Sequence, residues 1–88
     1  MKLKKGDQIY YVPDHATGPD HPDSEQGFVV RQTPDPKGET FFCRYYWKQR
    51  PEELRTTANG ESTHIRNIVK KDHRPQSSIE ADILKYNI

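Results

Sequence analysis

With 88 residues, 31% of them apolar and 31% charged, the chain suits one small domain and excludes a large core, since only about 60% of the unfolded surface is buried at this size. Fourteen basic against thirteen acidic residues leave a net charge of +1, which excludes the global basic excess of a dedicated nucleic-acid binder. One cysteine excludes an internal disulfide, and no apolar run follows the lysines of MKLKKGDQ, so the expectation is no signal peptide, no membrane span and a reducing, cytoplasmic location.

Residues 4–7 (KKGD) read as a turn and 8–12 (QIYYV) as a first strand, with Ile9 and Tyr11 on one face and Tyr10 and Val12 on the other. Pro13 stops the strand and opens a loop, 13–27, holding two histidines, four acidic residues and three prolines. Loops of this length are uncommon in compact domains and usually carry function. A second strand, 28–32 (FVVRQ), ends at a turn of two prolines and a glycine, 33–38, so a hairpin leads into the third strand. That strand, 40–47 (TFFCRYYW), is the strongest apolar segment; alternation places Phe41, Cys43, Tyr45 and Trp47 inward and Phe42, Arg44, Tyr46 and Lys48 on an exposed aromatic and basic face.

Residues 54–57 and 61–65 read as short strands flanking Ala58-Asn59-Gly60, where Asn-Gly suits a tight turn. A single 3₁₀ turn at 66–68 and a last strand at 69–71 follow. Ser77-Ser78-Ile79-Glu80 fits the capping box S-x-x-E, which predicts a short helix to about residue 85 with Ile79, Ile83 and Leu84 on one face. The chain thus divides into a body, 1–74, and a C-terminal extension, 75–88. Mainly β, with a long first loop, a hairpin and a one-turn helix before the last strand, it has the order of a small SH3-like five-stranded barrel.

The opening KKGDQIYYVPDHATGPDHPDSEQGFV resembles a recurrent pattern, K-x-G-D-x-V-x-Y-V-P-x-H-A-x-G-D-x-x-H-P-D-C-E-x-G-x-V, of short uncharacterised bacteriophage and prophage proteins. Gly6, Asp7, Tyr11, Val12, Pro13, His15, Ala16, Gly18, His21, Pro22, Asp23, Glu25, Gly27 and Val29 match it, and TFFCRYY is similar to the V-F-V-R-F run of those proteins. The resemblance implies a phage or mobile-element origin and a host protein as partner. It transfers no activity, and Ser24 stands where those proteins usually place cysteine.

His15 and His21 with Asp20, Asp23 and Glu25 are competent nitrogen and oxygen ligands, but their spacing is no strong metal signature, and carboxylates and prolines in successive turns account for the same residues as loop architecture. Cys43, mid-strand and inward, reads as an inert hydrophobe, and no P-loop, Ser-His-Asp order or carboxylate pair is present. The reading is therefore a non-enzymatic interaction module with no cofactor and no metal. It binds a protein partner through His15, His21, Asp23 and Glu25 of the loop and through Tyr10, Arg31, Phe42, Arg44, Tyr46 and Lys48 of the strand face. The alternative is nucleic-acid binding by that aromatic and basic face; a metal-dependent enzyme ranks below both. Arg66, Lys70, Lys71, His73 and Arg74 form a second basic cluster, and exposed sheet edges with an amphipathic tail leave homo-oligomerisation open.

Overall fold

Burial along the third strand decides the architecture. In the computed structural model, which describes residues 2–88, Phe41, Cys43 and Tyr45 are buried with Ile9, Val29 and Ile68 in one apolar cluster. The chain forms β1 (Gln8–Tyr11), β2 (Glu25–Gln32), β3 (Thr40–Tyr45), β4 (Glu61–His64), a 3₁₀ turn (Ile65–Asn67), β5 (Ile68–Lys70) and α1 (Gln76–Lys85). The strands make one antiparallel sheet in the order β4-β3-β2-β1-β5.

β4 and β5 are thus opposite edges of the sheet, about 19 Å apart if it were flat at ~4.8 Å per strand. Only the three residues of the 3₁₀ turn join them. Even four fully extended steps of ~3.8 Å would reach only about 15 Å. The sheet must coil, and a bulge between Val29 and Arg31 in β2 helps it bend. The turn is tied across the coil, because Ile65 N donates to Glu39 O at 2.8 Å and Val12 N donates to Asn67 O at 2.7 Å. Among the described residues no ladder joins β4 to β5. The expected mainly β class is seen as one coiled sheet of five antiparallel strands with one short C-terminal helix, and among the described residues the sheet is not closed into a barrel.

Coiling leaves the other sheet face, Phe28, Val30, Phe42 and Tyr46, to be covered, and α1 covers it with Ile79 and Ile83. This overturns the expectation that the even-numbered positions of β3 are exposed. Tyr46 is buried, and its hydroxyl donates to Asp82 Oδ2 at 2.6 Å. Arg44 is buried too, its guanidinium donating to Thr56 Oγ1 (2.9 Å), Thr56 O (3.1 Å) and Ala58 O (3.3 Å). Sequence periodicity cannot distinguish a face that meets water from one that meets a helix contributed from 33 or more positions away.

α1 itself starts differently from the sequence reading. Its N-cap is Pro75, without a side-chain cap bond, and Glu80 reaches Gln76 Nε2 (3.1 Å) instead of closing a box on Ser77. The position is set by Gln8, buried in β1. Gln8 Oε1 accepts the backbone N–H of His73 (2.9 Å) and Arg74 (3.1 Å), and its Nε2 donates to Arg74 O (2.8 Å) and Gln76 Oε1 (3.1 Å). The helix ends in a Schellman motif, with Asn87 at φ 54°, Asn87 N donating to Leu84 O (3.3 Å) and Ile88 N to Ile83 O (2.9 Å). This folds Ile88 onto the helix-side cluster. Leu84, five positions after Ile79 and so about 140° around the helix, points to solvent at 83% exposure.

Other differences are local. β2 starts at Glu25, so the first loop is 12–24. Residues 54–57 contribute only a bridge from Leu54 to Tyr46, because β4 pairs with β3. In the turn before β4 only Gly60 adopts positive φ, +81°, with its backbone against Cys43.

Gln8→Ala orphans two half-buried backbone donors and frees the segment leading into α1. It should cost about 2–4 kcal/mol in urea denaturation, and Leu84→Ala should stay within about 0.5 kcal/mol. Equal effects of the two would remove Gln8 as the anchor of the helix.

Candidate functional site

Three consecutive turns shape the first loop: Ala16 N donates to Pro13 O (2.9 Å), His21 N to Gly18 O (3.1 Å) and Ser24 N to His21 O (3.0 Å). Ser24, buried, donates its hydroxyl to Gly18 O at 2.8 Å, and Asn67 Nδ2 holds Val12 O (3.0 Å) and Asp14 Oδ1 (2.7 Å). On the outer side His15 Nε2 meets Asp23 Oδ2 at 2.6 Å, and His21 Nδ1 accepts the Asp23 backbone N–H at 3.1 Å. The His15 bond, despite some opposing desolvation, holds the Asp23 carboxyl below its usual range.

Opposite this loop stands the segment after β3. Trp47 N donates to Glu53 O (3.0 Å), Glu53 N to Arg50 O (2.9 Å) and Arg55 N to Tyr45 O (2.8 Å), a tight return that sets Pro51 outward. The Arg50 guanidinium lies 5.0 Å from the Trp47 ring centroid and 3.4 Å from Glu53. β2 begins and β3 ends side by side, Gly27 facing Tyr45, so the two segments flank one groove of about 470 Å³. Pro19, Asp20, His21 and Pro22 line one wall, Trp47, Lys48 and Pro51 the other, and Tyr10, Gln26 and Tyr46 the base.

The base is supported from behind by 73–74. The His73 ring packs edge-on to Tyr10 (5.5 Å) and Tyr46 (6.2 Å) and its Nε2 donates to Gly27 O at 2.9 Å. The Arg74 guanidinium stacks 3.8 Å from the Tyr46 centroid. A Cβ at position 27 would strike the Arg44 carbonyl and the Tyr45 ring, so this close approach admits only glycine. Burial pushes the His73 imidazole below its usual value, against the opposing pull of the Gly27 carbonyl.

Of the residues singled out from sequence, His15, His21 and Asp23 come together on the loop. Glu25 does not; its carboxylate is bound by Arg55 Nε at 2.9 Å, and Arg55 also holds Glu61 at 2.8 and 3.1 Å. The strand-face set is dispersed. Tyr10 and Lys48 reach the groove, Arg44 is buried, and Arg31 stacks on Phe42 (4.8 Å) at the far end of the sheet. Tyr46 contributes from a buried position. Of the groove's second wall Lys48 was read and Pro51 was not; Trp47 was assigned inward with Tyr45, but the strand ends at Tyr45 and alternation lapses there. The adjoining Pro51 was the available signal that the chain turns.

Five of the fourteen basic side chains are matched with carboxylates: Lys4 and Lys70 with Asp7, Arg50 with Glu53, Arg55 with Glu25 and Glu61, and Arg66 with Asp14. Burial would raise the Asp7 carboxyl, but the Lys4 amide and the two ammonium groups outweigh it and hold it below its usual range. Lys71 faces the Tyr10 ring, so the second basic cluster also disperses. Cys43 is buried, and burial pushes its thiol up to about 11.

Comparison of the chain with protein-family models, with curated proteins and with solved structures finds no match in any of the three.

Because the folded state disfavours the His73 proton and the unfolded chain takes it up below about pH 6.5, the stability gained from the neutral ring is present above that pH and lost below it. Urea midpoints should fall between about pH 7.5 and about pH 5.5, and His73→Gln should narrow the difference; an unchanged difference would assign it to other groups. Cys43 should react with a thiol reagent in denaturant and resist it in the folded state, measured by the rate of modification.

Proposed function

We propose that the chain is a non-enzymatic, SH3-like interaction module of phage or mobile-element type, working in the cytoplasm, that binds an extended segment of a protein partner in the groove between 12–24 and 47–51. The strand order, the 3₁₀ turn before β5 and the coiled sheet support the SH3-like reading.

The observation that carries the binding reading is the character of the groove: Pro19, Pro22 and Pro51 with Tyr10, Tyr46 and Trp47 around a base of fixed backbone. Prolines and aromatic rings offer apolar surface at small entropic cost, the usual furnishing of grooves that take extended peptides. Asp20, His21 and Lys48 provide polar groups of both signs at the rim, suited to a mixed polypeptide. A nucleic-acid strand would need unmatched positive charge along its path, and beside the groove Arg50 is matched by Glu53 and Arg55 by Glu25 and Glu61, leaving Lys48 as the basic residue of its lining. Loops on a rigid sheet are also where recognition is commonly placed. Among the described residues no helix is long and apolar enough to cross a membrane, which accords with a partner met away from the bilayer.

The test is selection of peptides from a random display library on the immobilised protein, followed by titration of synthetic winners with Trp47, the only tryptophan, as fluorophore. The expected result is saturable binding that Trp47→Ala, followed by anisotropy of labelled peptide, weakens at least about tenfold and Leu84→Ala leaves unchanged. No enrichment, together with oligonucleotide binding at ~50 mM salt that falls steeply as salt rises, would move the function to nucleic acid.

A further inference from the structure

We propose that His15, His21 and Asp23 form a binding site for a divalent transition-metal ion of the zinc class, which shares His21 with the groove wall but does not rest on the peptide reading. One ligand atom from each residue lies within 4.8 Å of the other two. His15 Nε2 and Asp23 Oδ2 are 2.6 Å apart, and the two imidazole rings meet edge to face at 5.5 Å and 81°. Metal–nitrogen and metal–oxygen bonds of ~2.0–2.1 Å separate tetrahedral ligands by about 3.3 Å. His15 and Asp23 need to part by less than about 1 Å, and His21 to close in by about 1.5 Å at most. The side chains of His15 and Asp23 are 64% and 59% exposed, so torsion rotations cover this without disturbing the core.

The chemistry suits the exchange. The ion takes the place of the proton that His15 shares with Asp23: His15 keeps or transfers its remaining proton to Nδ1, Nε2 coordinates, and any proton lost from a doubly protonated ring goes to solvent. His21 turns a ring nitrogen to the ion and leaves the exposed Asp23 N–H to water. Two imidazoles and one carboxylate make three protein ligands, with a fourth position for water. The three turns and the Ser24 bond to Gly18 O pre-set the backbone carrying the ligands. Ser24, facing inward, is not required as a ligand.

The test is titration of the untagged full chain with Zn²⁺ by isothermal calorimetry near neutral pH, with imidazole resonances followed by NMR. The expected result is one ion per chain, shifts confined to His15 and His21, and at least about tenfold weaker binding in His15→Ala, His21→Ala and Asp23→Asn. Circular dichroism of these variants without metal should match the parent, since His15 and Asp23 are exposed, His21 is half-buried and none belongs to either apolar cluster. His64→Asn, which keeps an acceptor at the start of the 3₁₀ turn, should bind as the parent does. Absence of binding at millimolar Zn²⁺, or binding unchanged in the three cluster variants, would overturn the proposal.

Discussion

Three residues joining opposite edges of a five-stranded sheet are the constraint on which this molecule depends. Because Ile65–Asn67 must carry the chain from β4 to β5, the sheet coils, and coiling wraps Ile9, Val29, Phe41, Cys43, Tyr45 and Ile68 around one small interior. The opposite face then lies outward with Phe28 and Tyr46 on it, a surface too apolar to leave to water in a chain of this size. A ten-residue helix that could not persist alone in water is stable there because Ile79, Ile83 and Ile88 have that face to pack on. The mutual need of sheet and helix makes body and extension a single packed unit.

Much of this was legible in local chemistry. Alternation located β1, β2 and β3, the Pro-Gly turn located their hairpin, and the 3₁₀ turn was found within a residue of its place. What stayed hidden was every feature decided at long range. The burial of Tyr46 follows from a helix arriving more than thirty positions later, and that of Arg44 from the return of 56–58 against β3. The failure of the capping box follows from Gln8, whose grip on 73–76 accompanies a helix that starts two residues early. On the site side, His15, His21 and Asp23 were readable as a group because turns keep them local, whereas Glu25 was drawn away by Arg55, thirty positions distant. Trp47 was misassigned because alternation was extended past the end of the strand.

Charge tells a related story. A nearly neutral chain can still carry strong local fields, and here five of the fourteen cations lie beside carboxylates. Arg44 is held without a carboxylate: it is buried on hydroxyl and carbonyl acceptors, and burial lowers its affinity for the proton without removing it. Its role is architectural, fastening 56–58 to β3. The surface of the groove is polar at its rim and aromatic within, a division produced by packing and not by composition.

Gln8 also bears on the order of events during folding. Its four hydrogen bonds reach 65 to 68 residues along the chain, so the buried amide in the first strand waits on the last quarter of the sequence. During synthesis β1, β2 and β3 can assemble as a meander of neighbours, yet this amide and the outer face of the sheet stay wet until Gln76 and Ile79 have emerged. Completion is then a late, non-local step of the kind that slows folding, and the N-terminal strand, first to be made, is among the last to reach its final state.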